Sequence, residues 1–144
     1  MSLTGLLYAI GAAVTWGLVY TIDQRILRNA TPLTLLFVNS LIAIIILLPF
    51  IFFERKEFAA LSGTPGRVWI FIIVSAFLAT LANFFIFSSI QLLGASTASI
   101  FEIAYPFFVV LFSYLAFHTA PGPALLLGGL FIFIGSAIII ASGR

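Results

Sequence analysis

Five long apolar segments, each bounded by a short polar or proline- and glycine-rich stretch, constrain the fold of this chain more than any other feature. A helix of about 20 residues rises about 30 Å, the thickness of the hydrocarbon core of a bilayer. Inside lipid, only helices and closed barrels pair all of their backbone polar groups. The sequence therefore predicts an all-α integral membrane protein with five transmembrane helices, at approximately residues 3–22, 32–53, 68–90, 96–117 and 123–142.

The composition supports this location and excludes several other classes of protein. Hydrophobic residues make up 63% of the chain and charged residues 7%, whereas soluble domains carry about 25% charged residues. The six Lys and Arg residues lie in loops or at helix ends, which is typical of interfacial anchors and argues against nucleic-acid binding. With no Cys and a single His118, the sequence predicts no metal site, no cofactor and no disulfide.

The connections are short, so we expect everything functional to lie in the bilayer. The longest connection, about 14 residues between the second and third segments, contains Phe58-Ala59-Ala60-Leu61, for which we favour a solvated connector over an amphipathic turn at the interface. The first segment lacks a cationic n-region and an A-x-A cleavage pattern, so we retain it as a helix of the mature protein. These features predict one five-helix domain over residues 1–144.

One carboxylate, Glu102, stands inside an apolar segment, four residues before Pro106. Proline has no amide hydrogen, so the regular helical bond to the carbonyl of Glu102 is lost at this point. An acid at the centre of a membrane helix costs about 2.5–3.5 kcal/mol on the lenient insertion scale, more than a neutral hydrogen bond between helices returns. We therefore interpret Glu102 as a functional residue, either a proton carrier or the counter-charge for a cationic substrate.

The positive charges are balanced across the predicted topology. Five spans divide the six cations equally, with Arg55, Lys56 and Arg67 on one side and Arg25, Arg28 and Arg144 on the other. Because the asymmetry of Lys and Arg in short loops sets orientation, this balance predicts no preferred orientation. Two interpretations stay open: insertion in both orientations, or a weakly biased protein that is oriented by other features or by a partner.

Several short motifs occur in an order that is typical of a known family. The most specific are Trp16-Gly17 in the first segment, Pro32-Leu33 at the start of the second, the Gly-Ala-Ser turn at 94–96, Pro106 in the fourth segment, and Gly128 with Gly135 in the fifth. Over essentially its whole length the chain resembles an EamA-type repeat of the drug/metabolite transporter superfamily. The resemblance implies a multi-pass protein of the cell (inner) membrane that transports a small-molecule solute.

The resemblance also implies an assembly. Typical members look like two such repeats fused head to tail, and the odd number of helices inverts the second repeat. This chain has the length of one repeat, so an antiparallel homodimer would restore the ten-helix inverted-repeat bundle. The small multidrug resistance proteins are similar in using two oppositely inserted copies. Together with the charge balance, the resemblance favours dual topology.

Two positions depart from the family pattern. Asn39 stands where relatives commonly carry Arg, and His118-Thr119 aligns with a Gly-Glu pair that is often found after the fourth helix. Both replacements remove side chains that relatives would use as fixed charges. We therefore carry over no substrate or gating role from these positions.

Polar and aromatic side chains at helical spacing outline a candidate substrate and proton site. It comprises Ser99, Glu102, Tyr105 and Pro106 on the fourth predicted helix, Trp16 and Tyr20 on the first, and Asn83 on the third. We expect these faces to converge on one cavity, with Phe101 and Phe107 as wall residues.

Several of these residues have a second interpretation. Trp16 and Tyr20 can attract an organic cation through their ring faces, but Tyr20 can equally belong to an interfacial aromatic belt. For Asn39 and Asn83 we favour hydrogen bonding between helices. Asp23 lies near Arg25 at a helix end, where we expect a solvated ion pair.

Small residues on the fifth helix predict helix association, because they let two backbones approach closely. We assign Gly128, Gly129, Gly135 and Ser136 to dimer packing, and a second seam of Gly5, Ala9 and Ala13 runs along the first helix.

The sequence and the resemblance together predict a transporter that exports a small organic solute by alternating access, with Glu102 of each copy exchanging a proton for substrate. Three alternatives stay open: a facilitator without a coupling ion, a half-transporter that needs a different partner chain, and a subunit of a flippase for lipid-linked carriers. An intramembrane enzyme is the rival from another class. The sequence offers no nucleophile–base pair and no catalytic metal ligands to support one.

Overall fold

The computed structural model describes residues 2–118 and 122–142, and every regular element in this part of the chain is a helix. The helices are α1 (Leu3–Ile26), α2 (Pro32–Phe53), α3 (Arg55–Ser62), α4 (Gly66–Leu93), α5 (Ala95–Glu102), α6 (Tyr105–Phe117) and α7 (Pro123–Ser142). The predicted all-α class is confirmed.

Among the residues that the structure describes, four stretches are long and apolar enough to cross a membrane: Leu3–Ile26, Pro32–Phe53, Gly66–Leu93 and Ala95–Phe117. Within the described residues, α7 contributes a shorter apolar stretch, Pro123–Ile139. The structure therefore supports a multi-pass membrane protein, and the fifth span stays a prediction.

The first two helices begin at side-chain caps. The Ser2 hydroxyl accepts a hydrogen bond from the amide of Gly5, and Thr31 Oγ1 accepts one from the amide of Thr34 at 3.2 Å. Pro32 follows Thr31 as the first residue of α2, where its missing amide hydrogen costs nothing. The sequence signal of Pro32 as the start of a helix is thus confirmed.

Three helix ends lie a few residues outside the approximate spans predicted from the sequence. We expected the polar run from Asp23 to end the first helix, but α1 continues to Ile26. We expected the third long helix to cover 68–90, but α4 extends from Gly66 to Leu93. Polar residues stop an apolar run without breaking a helix, since they keep their backbone amides and have adequate helix propensity.

The connection between α2 and α4 is a helix and not the plain connector that we favoured. In α3, Ser62 Oγ donates to the carbonyl of Ala59 at 2.7 Å, and the amide of Gly63 closes the end on the carbonyl of Ala60. The guanidinium of Arg55 lies 5.0 Å from the centre of the Phe52 ring. This cation–π contact joins the start of α3 to the end of α2.

The predicted helix at 96–117 is split in two at the position where Pro106 removes an amide hydrogen. α5 ends at Glu102, and α6 begins at Tyr105 with Pro106 in its first turn. The intervening turn is closed by short-range bonds, from the amide of Ala104 to the carbonyl of Phe101 and from that of Phe107 to the carbonyl of Ala104. The predicted interruption is confirmed, and its cause is the proline.

The chain forms two compact units, Met1–Leu92 and Leu93–Arg144, called here the first and second units. In the first unit, the well-buried residues gather where α1 ends, α2 begins and α4 ends: Tyr20, Asp23, Leu27, Leu35, Phe87 and Ile90. We call these six residues the packed end. In the described part of the second unit, the buried residues are Ala95 and Ala98 of α5 and Ser136 of α7.

Candidate functional site

Glu102 is the last residue of α5 and is half-buried. The C-terminal end of a helix carries partial negative charge, and the carboxylate adds to it. A carboxylate at the C-terminal end of one half-helix and beside the start of another is the arrangement by which broken membrane helices bind cations. The break between α5 and α6 can therefore hold a proton or a cationic group.

The three partners predicted for Glu102 lie close to it along the chain. Ser99 is half-buried one turn earlier in α5, and its hydroxyl donates to the carbonyl of Ser96 at 3.0 Å. Tyr105 opens α6 and is 61% exposed, and Pro106 is half-buried beside it. The site residues predicted on the fourth helix therefore form one local cluster around the break between α5 and α6.

Aromatic rings flank this cluster. Phe107 packs edge-on against Phe108, with ring centres 5.6 Å apart, and its centre lies 6.4 Å from that of Phe133 in α7. Phe101 is about half exposed on the other side of Glu102 in the sequence. The Phe107–Phe133 contact positions α6 against α7, so Phe107 has a packing role in addition to the predicted role as a wall residue.

The aromatic pair of α1 lies in the first unit. The Trp16 and Tyr20 rings are tilted against each other with centres 5.4 Å apart. Tyr20 is buried, whereas Trp16 is 48% exposed. Burial within the unit argues against a place for Tyr20 in a lipid-facing belt, and it leaves the Trp16 face as the accessible part of the pair.

Asn83 uses its amide within its own helix. Its Nδ2 donates to the carbonyl of Ala79 at 2.9 Å, one turn earlier in α4, so this bond is not the bond between helices that we favoured. Asn39 is exposed on α2. An amide side chain in a membrane helix can donate its hydrogen bond to a carbonyl one turn earlier in the same helix. Sequence spacing alone does not distinguish this bond from a bond to another helix.

The predicted site residues fall into two groups. Trp16, Tyr20 and Asn83 belong to the first unit, and the cluster around Glu102 belongs to the second unit. Their convergence on one cavity stays a prediction.

The structure corrects the expectation for Asp23. We expected a solvated ion pair with Arg25, but Asp23 is only 4% exposed, whereas Arg25 is exposed. Its Oδ2 atom is buried and makes no hydrogen bond within the part of the chain that the structure describes. Helical spacing places Asp23 on one face with Tyr20, but spacing alone does not show that this face is buried.

Sequence reasoning also missed Gln91. Its Nε2 donates to the carbonyl of Leu27 at 2.9 Å and to that of Ala30 at 3.2 Å. These carbonyls lie in the turn after α1, where a helix end leaves acceptors without helical partners. The available signal was an amide side chain in a long apolar run just before Gly94.

The four residues assigned to dimer packing differ in their surroundings. A Cβ atom added to Gly128, Gly129 or Gly135 would meet nothing within 4 Å. Ser136 is buried, and its hydroxyl oxygen lies 3.0 Å from the carbonyl of Ile132 and 3.3 Å from that of Ile100. The three glycines therefore leave an open strip on the surface of α7. Ser136 instead links α7 to α5 within the same chain.

An apolar groove of about 380 Å³ lies along α2 and α3 in the first unit, and none of the predicted site residues lines it. Its only charged lining residue is Glu54, and the others are Ile44, Leu47, Leu48, Phe50, Ile51 and Phe58. Such a lining suits hydrocarbon and offers little to a polar solute.

The long apolar helices and the acid at a helix break together define a multi-pass helical membrane protein. The sequence model of the EamA-like transporter family matches residues 3–141, and the chain belongs to this family. This assignment confirms the resemblance to an EamA-type half of the drug/metabolite transporter superfamily. No curated protein and no solved structure matches the chain.

Proposed function

We propose that this protein exports a small organic solute across the cell (inner) membrane by alternating access, as an antiparallel homodimer, with proton exchange at Glu102. The single observation that carries the proposal is the position of Glu102 at the end of α5, beside the break that Pro106 imposes. In transporters, broken helices and midplane acids form the sites for substrate and coupling ion. The family assignment supports the more general part of the proposal, that the protein is a membrane transporter.

The antiparallel homodimer rests on two further features. The cations divide equally between the two sides of a five-span topology, and the family match over residues 3–141 is consistent with an EamA-type half of the superfamily. Two copies in opposite orientations would generate the inverted symmetry on which alternating access depends. The open glycine strip of α7 offers a surface for close helix approach.

Reconstitution into liposomes tests the transport step. Purified protein is screened with amines, amino acids and nucleobase-like metabolites under an imposed pH gradient. If Glu102 carries the exchanged proton, Glu102→Gln should abolish gradient-driven uptake while exchange between equal pools survives, because the amide keeps hydrogen bonding but does not titrate. If Glu102 is the counter-charge of a cationic substrate, the same variant should lose binding itself.

A matched acid provides the control. Glu57 is exposed in α3, so Glu57→Gln removes the same charge from the chain without touching the break. We expect it to transport as the wild type does. Wild-type gradient-driven transport by Glu102→Gln would reject both roles of Glu102.

The alternatives predict different results in the same assay. The transport rate of a facilitator would not depend on the pH gradient. A half-transporter would show no transport until a different chain is co-expressed. A flippase subunit would bind long-chain lipids, for which the apolar groove of α2 and α3 is the favouring feature. An enzyme would convert its substrate covalently.

A further inference from the structure

Asp23 is the most deeply buried charged residue that the structure describes, and the proposed function does not use it. It lies in the last turn of α1, four residues before Leu27, whose amide donates to the Asp23 carbonyl at 2.8 Å. Its side chain is 4% exposed, and Oδ2 is buried without a hydrogen bond in the described residues. A Leu or Asn side chain would fill a similar volume, so the packing of the described residues does not by itself require an acid here.

The surroundings of Asp23 disfavour a negative charge. It lies at the C-terminal end of α1, where the helix dipole is negative. A buried ionised carboxylate is tolerated only when it is paired with a cation or fully hydrogen-bonded. Within the described residues Asp23 meets neither condition, so its surroundings favour the neutral carboxylic acid over the ionised form.

Few ionisable groups of the first unit lie near Asp23. On α1 they are Arg25, which is exposed, and the buried phenol of Tyr20, and Arg28 is exposed in the turn after α1. α2 carries no charged side chain, and α4 carries only Arg67, in its first turn and far from the packed end. Neither neighbouring helix brings a cation that would hold Asp23 ionised.

We propose that Asp23 is a proton-binding site, distinct from Glu102, and that its bound proton holds the packed end of the first unit closed. When this end opens, water reaches the carboxyl, which releases its proton to the solvent and becomes ionised. Closing the end again requires that the proton be taken back from water. Opening is therefore linked to the release of one proton and is favoured as pH rises.

The inference goes beyond the proposed function, because it requires neither a particular solute nor proton exchange at Glu102. It does require that the packed end opens and closes. Leu35, which is 5% exposed at the start of α2, reports that motion when it is replaced by Cys. The chain has no cysteine of its own, so a single introduced thiol can be followed without background.

The test compares maleimide labelling rates of Leu35→Cys and Asn29→Cys across a range of pH, in protein reconstituted into nanodiscs. Asn29 is exposed in the turn after α1, so its rate reports the ionisation of the thiol alone. In the wild-type background we expect the ratio of the two rates to rise with pH, by up to about tenfold per pH unit for one linked proton. With Asp23→Asn added, the ratio should stay low and flat.

Each other result overturns the proposal. A flat ratio in the wild-type background means that no proton is linked to opening. The same rise in the Asp23→Asn background places the linked proton elsewhere. A high ratio at every pH in that background means that the acid has a purely structural role.

Two more variants separate the proposed role of Asp23 from a loss of folding and from the role of Glu102. Asp23→Glu should restore a pH-dependent ratio, which a loss of folding in Asp23→Asn would not explain. Glu102→Gln should leave the ratio unchanged while it stops gradient-driven transport, so failure of the Asp23 site and failure of the proposed function are separable.

Discussion

The side-chain amide of Gln91 donates a hydrogen bond to the carbonyl of Leu27, with Nε2 and O 2.9 Å apart. The two residues are 64 positions apart in the sequence, and the bond ties the end of α4 to the turn that follows α1. A second bond, to the carbonyl of Ala30, strengthens the same connection. One polar side chain thus satisfies the carbonyl at the C-cap of α1 and a second carbonyl in the turn that follows.

Replacing Gln91 with Leu should destabilise the protein by about 1 kcal/mol, because the carbonyls of Leu27 and Ala30 lose a hydrogen-bond donor. Thermal unfolding in detergent measures the change. Asn39→Leu is the matched control, since Asn39 is an exposed amide on a membrane helix. Equal effects of the two substitutions would contradict the role of Gln91.

His118 should be replaceable by Gly with a gain in stability. It follows α6 with φ at 54°, in the left-handed region, and its amide bonds to the carbonyl of Tyr114. Glycine adopts this conformation without the penalty of roughly 1–2 kcal/mol that a Cβ atom brings. We expect His118→Gly to be about 1 kcal/mol more stable than His118→Ala by thermal unfolding. Equal stability of the two variants would rule out backbone strain here.

Substituting both Gly128 and Gly135 with Leu should favour monomers in detergent. A Cβ atom at either position meets nothing within 4 Å among the described residues, so we expect the substitutions to act on association more than on the fold. Light scattering coupled to size exclusion gives the dimer fraction. Gly11→Leu is the control, since this glycine is equally open but lies on α1. An unchanged dimer fraction would move the interface, with the seam of Gly5, Ala9 and Ala13 as the next candidate.

Single cysteines at Ser2 and at Ser142 should each be labelled from both faces of the membrane, because the cations give no orientation bias. Adding two Lys near Ser62, at the end of α3, should then keep that connection cytoplasmic in most molecules. Labelling of each cysteine from one face only in the unmodified chain would exclude dual topology.

The sequence was sufficient to predict those features of the structure that have a local cause. Apolar length predicted the long helices, and the missing amide of Pro106 predicted the break after Glu102. The burial of Asp23 could not be predicted in this way, because it depends on how α2 and α4 pack near the end of α1. The Gln91 bond likewise depends on a partner 64 residues away. α3 was not predicted because it is short and contains no long apolar run that would indicate a helix.

Only seven hydrophobic residues are buried among those that the structure describes: Tyr20, Leu27, Leu35, Phe87, Ile90, Ala95 and Ala98. A single chain therefore covers little of its own apolar surface, and lipid or a second copy covers the rest. In such a chain, resistance to unfolding is set by mass action as well as by internal packing. If copies pair, the melting temperature should rise with the protein-to-lipid ratio, so the amount of membrane available to each copy becomes a variable of its stability.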